Sequence, residues 1–307
     1  MDKKIKVLLD TDIGDDIDDA FALALLLNQE EIELVGITTV YKNTNLRSKI
    51  TKYELKQYKK DNVKVISGID KPLKKDIIRW PFEEVDSNNK IIIRHYKDEL
   101  MNKEIIDGYN APDFILESIK KYPDLVILAI GPLTNLAEAY LKDKDTFLKL
   151  KELRMMGGTN DSTYPEWNMR VDPEAADIVL SSGVPIKSVG VDITRKCTLC
   201  QCDVEKIKGL DGPMEIVKEM MMQWMMDNPN RMPTMHDPLA AFELTNHFCD
   251  YKDVSFDVDL PTGKFIHNPN GKCHISLACN VDERGFIDAL ISTLEWCLWI
   301  KLEKYYQ

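Results

Sequence analysis

The sequence predicts a single α/β domain with a mainly parallel central sheet flanked by helices. Short apolar, strand-like runs alternate with helical patterns from residue 5 onward. Polar or Gly-rich features fall just after the predicted strands, where ligands sit in sheets of this kind. Finally, the 307 residues, 44% of them hydrophobic, are enough for a large core, and no compositional shift or internal repeat divides them. The domain is therefore expected to span residues 1–307.

Residues 5–9 read as the first strand. Residues 19–27 are apolar all round and read as a mostly buried helix. A β-branched strand follows at 34–40, a polar helix at 45–60 and a short strand at 63–67. The charged, poorly periodic stretch 79–100 reads as a long surface loop. Helix, strand and helix are expected at 113–121, 125–130 and 132–141. Strand 153–156, helix 173–181 and strand 186–189 continue the alternation. The last third is less regular. It holds a Met-rich helix at 213–226, a segment at 236–245, strand-like runs at 254–259 and 273–277, and a closing helix at 283–305.

Charge narrows the function. A formal net charge of −11 argues against nucleic acid as the main partner, since phosphate backbones need clustered Lys and Arg. An uncharged nucleoside stays compatible. The N-terminus carries an apolar run too short for a signal peptide, and no window approaches the ~18 apolar residues of a membrane span. A soluble, cytoplasmic protein is expected, with its seven cysteines as free thiols. Cys197, Cys200 and Cys202 could hold zinc. No second Cys or His pair follows at a useful spacing, so ordinary thiols are the stronger reading.

The most informative segment is Asp10-Thr11-Asp12-Ile13-Gly14-Asp15-Asp16-Ile17-Asp18-Asp19, with six aspartates in ten positions between a buried strand and a buried helix. Carboxylates a few Å apart repel and raise one another's pKa. A helix N-terminus relieves one or two of them. A hard divalent cation with oxygen ligands relieves the rest. An acidic helix cap remains the alternative for Asp15 and Asp16. An EF-hand would need Gly and Glu at the sixth and twelfth positions, where Asp15 and Phe21 stand. A haloacid-dehalogenase-type phosphatase with Asp10 as nucleophile shares the D-x-D after strand one. Its following Thr is replaced here by Gly14.

The segment resembles the N-terminal signature of the nucleoside hydrolases, D-x-D-x-G followed by D-D-A, as Asp10-Thr11-Asp12-Ile13-Gly14 and then Asp18-Asp19-Ala20. The resemblance continues in order. It takes in Asn43, Gly131-Pro132-Leu133-Thr134-Asn135-Leu136-Ala137, Met156-Gly157-Gly158, and Glu166-Trp167-Asn168 with Asp172-Pro173-Glu174-Ala175-Ala176. Residues 189–194 and His236-Asp237 with Ala240 complete it. It implies Ca²⁺-dependent hydrolysis of a ribonucleoside's N-glycosidic bond, releasing base and ribose. It implies Asp12, Asp19 and Asp237 as carboxylate ligands, with the Thr134 carbonyl as a fourth. Asp12 would also be the general base on the water held by the ion. Asp18, Asn43, Asn160, Glu166 and Asn168 would hold ribose hydroxyls, Asp10 would support from behind, and His236 would be the acid for the departing base. Packing or helix capping is the alternative for His236. Family members are often dimers or tetramers, so a homodimer or homotetramer is implied. A non-catalytic Ca²⁺- and ribose-binding protein is the reading outside enzymes.

The chain also departs from the family. Three residues, Asp15, Asp16 and Ile17, separate Gly14 from Asp18, where the commoner form has one. The register of the turn is therefore open, and Asp16 stays a possible ligand. The stretch before Glu166 is short, and residues 77–100 lack the family's Gly-rich His loop. Trp224 and the methionines at 220–222 and 225–226, with Tyr164 and Trp167, could wall a base pocket or simply pack.

Overall fold

The computed structural model describes residues 3–74, 85, 87, 89 and 92–305, with side chains to residue 295. Nine strands form one sheet: β1 (Ile5–Thr11), β2 (Ile32–Thr39), β3 (Val65–Ser67), β4 (Val126–Ala129), β5 (Glu152–Met156), β6 (Ile186–Val189), β7 (Cys249–Asp259), β8 (Lys264–His267) and β9 (Cys273–Val281). Their order is β3-β2-β1-β4-β5-β6-β9-β7-β8. From β3 to β9 every neighbouring pair is parallel. Only β7 against β9, and β8 against β7, are antiparallel.

The helices are α1 (Asp18–Asn28), α2 (Thr44–Gln57), α3 (Asp98–Met101), α4 (Ala111–Lys121), α5 (Thr134–Lys142), α6 (Lys144–Phe147), α7 (Trp167–Val171), α8 (Pro173–Leu180), α9 (Val191–Thr194), α10 (Gln201–Lys208), α11 (Glu215–Asp227), α12 (His236–Phe242) and α13 (Glu283–Tyr305). The expected α/β domain with a mostly parallel sheet is thus what forms. Part of the loop expected at 79–100 lies outside the described residues. Its described end carries α3.

The sheet separates two apolar layers. Val7 and Leu9 of β1 face one, with Phe21 and Leu25 of α1 and Leu290 of α13. Leu8 between them faces the other, with Ile115 of α4, Leu136 of α5 and Val179 of α8. Successive side chains leave a strand on opposite faces, so β1 needs apolar residues at consecutive positions to be buried twice. The first helix is buried from Asp18 to Leu26, because α12 and α13 also cover its outer side. This explains its lack of a polar face, and it places two aspartates at a buried helix start.

Two segments differ from expectation. The strand-like run at 254–259 belongs to a longer β7 that pairs with β8 across a Pro261-Thr262-Gly263 turn, so the last third ends the sheet in a hairpin. Cys200 and Cys202 form a disulfide, against the expectation of free thiols; Cys197, Cys249, Cys273 and Cys279 are free. The start of α10 brings the paired Cα atoms to 5.3 Å, within disulfide range. No helix among the described residues is long and apolar enough to cross a membrane.

Candidate active site

A cavity of about 620 Å³ opens beyond the C-terminal ends of β1, β4, β5 and β6. Seven of the ten residues singled out from sequence line it: Asp12, Asp18, Asp19, Glu166, Asn168, His236 and Asp237. Asn43, Thr134 and Asn160 are not in its lining. Asn43 instead caps α2, its Oδ1 accepting from the Leu46 N–H at 3.1 Å. The Asn160 amide donates to Asp192 Oδ2 and the Ala278 carbonyl. Thr134 opens α5 and donates its hydroxyl to Asp172 at 2.8 Å. From the turn that carries Thr134, it is Ile130 that reaches the cavity wall.

Carboxylate oxygens of Asp18, Asp19 and Asp237 lie within 4.8 Å of one another, and all three residues are buried. The start of α12 supplies Asp237, and its backbone N–H donates to Asp18 Oδ2 at 3.2 Å, which ties α12 to α1. Thr11, at the end of β1, donates its hydroxyl to Asp19. Burial raises all three carboxyls well above the usual range, and repulsion within the acid cluster raises them further. Asp12 is pushed up to about 6 by burial, against the pull of Arg47 and with a further push from Asp15. An all-oxygen, buried, like-charged donor set of this kind fits a hard divalent cation.

Arg47 shapes the turn that holds these acids. The residue is fully buried. Its Nε donates to the Tyr41 carbonyl at 2.8 Å and its Nη1 to the Ile13 carbonyl at 2.8 Å and to the Asp12 carbonyl. Its Nη2 lies 2.8 Å from Asp15 Oδ2, which Lys42 also meets at 2.8 Å. Arg47 and Lys42 hold Asp15 below the usual carboxylate range, against the cost of burial. Asp15 is therefore an anchor for the turn. Asp16 is exposed at the rim and accepts from the Ile17 N–H at 2.8 Å. Tyr41 and Lys42 both take left-handed backbone conformations, φ 68° and 56°, uncommon for residues with a side chain.

Behind the cavity, Asp10 is fully buried and not in the lining. It accepts from Thr38 and, at 2.7 Å, from Asn135, which joins β1 to β2 and α5. Burial pushes its carboxyl up to about 7. A nucleophile would have to reach its substrate, and Asp10 does not. Gly131 lets the turn after β4 come close, since a Cβ there would sit 3.0 Å from Asp12 Oδ1.

Glu166 and Asn168 flank the far wall. Glu166 accepts three backbone N–H groups, from Gly158, Asn168 and Met169. Burial nonetheless pushes it up to about 7. The Asn168 amide donates to the carbonyls of Ile130 and Met156, bridging the ends of β4 and β5. His236 Nδ1 lies 2.6 Å from Thr194 Oγ1. Burial, then Arg195 and Arg231, push its imidazole down to about 4, so it is neutral at pH 7.

Trp224, Tyr164 and Trp167 all line the cavity, whereas Met220 and Met221 are core. Arg94, Arg170, Arg195, Asn228 and Arg231, which sequence reasoning missed, line it too. All but Arg170, in α7, lie in the loops between elements or at their ends. A lone arginine in such a place carries no periodic or motif signal.

Residues 7–288 match the family described as inosine-uridine preferring nucleoside hydrolase. Uridine nucleosidase 1 of Arabidopsis thaliana is 32% identical over 220 residues, covering 68% of this chain and 63% of that protein. The inosine-uridine preferring nucleoside hydrolase of Crithidia fasciculata is 29% identical over 94% of this chain and 97% of its own length. Among solved structures, a purine-preferring ribonucleoside hydrolase from Gardnerella vaginalis superposes with a TM-score of 0.77 at 24% identity, covering 94% and 98% of the two chains, a likeness of fold. With a match over nearly its whole length and the acid cluster at the sheet's C-terminal edge, the chain belongs to the inosine-uridine preferring nucleoside hydrolase family.

Proposed function

We propose that the protein hydrolyses the N-glycosidic bond of ribonucleosides with a Ca²⁺ ion held by Asp12, Asp19, Asp237 and a backbone carbonyl of the turn after β4. The observation that carries this is the buried cluster of Asp18, Asp19 and Asp237 on the floor of a cavity that Asp12, Glu166, Asn168 and His236 also line. For the backbone ligand, the family's pattern points to Thr134, but Ile130 is the residue of that turn on the wall, and its carbonyl is the better candidate. Bound there, the ion would grip the ribose diol and make an attacking water more acidic.

The chain's own residues supply the rest. Asp12 takes the proton of the attacking water; a carboxyl displaced toward neutrality is suited to that task. The hydroxyl of that water ends on C1′, the C1′–N bond breaks, and a proton ends on the leaving nitrogen. Positive charge develops on the ribose, and the surrounding carboxylates favour it. Asp18 accepts from a ribose hydroxyl, and the amide and carboxylate of Asn168 and Glu166 orient the sugar. A Thr194 hydroxyl donating to His236 Nδ1 leaves Nε2–H to point at the base. His236 then assists departure as a neutral hydrogen-bond donor; a standing imidazolium is disfavoured by its burial beside two arginines. A cytoplasmic location accords with this chemistry and is part of the proposal.

The test is a reducing-sugar assay with inosine and uridine in Ca²⁺ or EGTA. Ribose release that needs Ca²⁺ is expected, with Asp12→Asn folded and almost inactive. Robust turnover by Asp12→Asn would sink the mechanism, and tight ribose binding with no base release would favour a binding protein.

A further inference from the structure

Cys200 and Cys202 do not line the catalytic cavity, and the chemistry proposed above makes no use of them. They flank Gln201, so their disulfide closes a loop with a single residue inside it. A cross-link stabilises a fold mainly by restricting the unfolded chain, and the effect grows with the loop it closes. This one stands at the bottom of that scale. The backbone around it is also fixed by other means. Residues 197–199 form a short ladder with residues 233–235. The Met235 N–H donates to the Cys197 carbonyl at 2.8 Å, and the Leu199 N–H donates to the Pro233 carbonyl at 2.9 Å. The Thr198 and Thr234 hydroxyls meet at 2.8 Å. On the other side, the Cys200 N–H donates to Asp203 Oδ2 at 3.0 Å, and the two Asp203 oxygens accept from Arg284 of α13 at 2.9 and 3.1 Å. Cys200 thus keeps its place when the S–S bond is open, and a structural staple here would secure what is already secured.

What the pair does have is access and a helix end. Both residues are exposed, whereas Cys197 and Cys273 are buried. Cys200 immediately precedes α10, and Cys202 lies in its first turn. A helix N-terminus favours a thiolate, and a sulfur that leaves as a stabilised thiolate leaves faster in exchange. Asp203 opposes this, since its Oδ1 lies 3.9 Å from Cys202 Sγ, but Arg284 answers its charge. The same ion pair makes Asp203 a poor third ligand. Two sulfurs and one committed carboxylate are better fitted to electron exchange than to holding a metal ion.

We propose that Cys200 and Cys202 are a redox-active pair that exchanges two electrons with dithiol and disulfide partners, at a site separate from the hydrolytic one and independent of its substrate. In the reducing direction, a thiolate of the incoming dithiol attacks one sulfur of the pair. The Cys200–Cys202 bond breaks, and the other sulfur leaves with the electron pair and takes up a proton. The partner's second thiolate then attacks the partner's own sulfur in the mixed disulfide, and the remaining cysteine leaves and is protonated in turn. The partner has lost two electrons and two protons and ends as a disulfide; the chain has gained them and ends as a dithiol. A disulfide partner in excess runs the sequence backward. A reversible pair also accords with the cytoplasmic location proposed above, where a permanent disulfide would not.

The experiment counts and places thiols in the folded, full-length protein. Samples are treated with excess oxidised glutathione, with millimolar dithiothreitol, or with dithiothreitol and then, after its removal, oxidised glutathione. Each is alkylated with iodoacetamide and mapped by peptide mass. Alkylation of both Cys200 and Cys202 after dithiothreitol, and of neither in the two oxidised samples, is expected. Reduction should lower Tm by less than about 3 °C, and Cys200→Ser/Cys202→Ser should melt within the same margin of wild type. A pair that dithiothreitol opens only in urea, or a larger fall in Tm on reduction, would make it a structural staple and overturn the proposal. A pair that excess oxidised glutathione fails to close would overturn it as well, leaving two ordinary thiols.

Discussion

Replacing Arg47 with Met tests whether one buried guanidinium sets the geometry of the acidic turn. Met fills much of the same space and removes only the polar head. The loss then comprises donors to the carbonyls of Tyr41, Asp12 and Ile13 and the contact with Asp15. A buried acceptor left unsatisfied costs about 1–3 kcal/mol. The cavity beside the turn can let water reach some of them, which favours the low end. Asp15 keeps Lys42 and some solvent, so its share is about 1 kcal/mol. The total is about 4 kcal/mol. For a 307-residue chain that corresponds to a fall in Tm of about 6 °C.

The activity should suffer more than the stability. Arg47 holds the backbone of Asp12 itself, and a shift of about 1 Å in a reacting group costs on the order of 100-fold. Urea unfolding and kcat are the two measurements. Asp15→Asn should cost only about 1 kcal/mol and little activity, since the three carbonyl contacts survive. An Arg47→Met protein within about 1 kcal/mol of wild type and fully active would refute the assignment of Arg47 as the organiser of the turn.

Three further outcomes follow from other contacts. His95 is buried, its backbone N–H donates to the Gly14 carbonyl at 2.8 Å, and burial pushes its imidazole from 6.5 down to about 4. The unfolded chain therefore binds the extra proton between those values, so this stability is fully present above pH 6.5 and lost as pH falls toward 4, by about 3 kcal/mol. Urea unfolding should show the wild type losing about 3 kcal/mol relative to His95→Leu over that range as pH falls; parallel curves would refute it. Gly158 has φ 74°, and a Cβ there would meet the Phe265 ring at 2.2 Å, so Gly158→Ala should cost about 2–4 kcal/mol by denaturation. Removing Ca²⁺ with EGTA should lower Tm by several degrees, since a ligand at 100 times its Kd stabilises by about 2.7 kcal/mol. Asp237→Asn should abolish the difference, and a Ca²⁺ effect that survived in that variant would place the ion elsewhere.

Much of this molecule is legible in its sequence because burial on two faces leaves an unmistakable pattern. Consecutive apolar residues gave β1, β4 and β6 to within two residues at either end, and the apolar-all-round helix at 19–27 is α1. The acids were legible as a set, since six carboxylates cannot share a buried turn without a charge to answer them. Direction was not legible. Asn43 and Asn160 stand at their expected places in the chain, yet one caps a helix and the other turns to Asp192. Arg47 lies in the segment that reads only as a polar helix; Ser48, Thr51 and Glu54 of that helix are buried with it. Only the packing of α2 onto the turn reveals that, and a sequence records no such packing.

The two extra residues in the turn gain a physical meaning from these contacts. In a row of six aspartates, what separates the roles is the partner each finds. Asp10 finds two neutral donors and stays behind the wall. Asp18, Asp19 and Asp237 find chiefly one another, which leaves a demand for positive charge that the protein does not meet. Asp15 finds Arg47 and Lys42, two cations, and so removes both from competition with an incoming ion. Had those cations faced the floor, they would have neutralised the cluster and weakened its attraction for a metal ion. The inserted acid therefore lets a buried arginine support the turn while a carboxylate beside it offsets its charge.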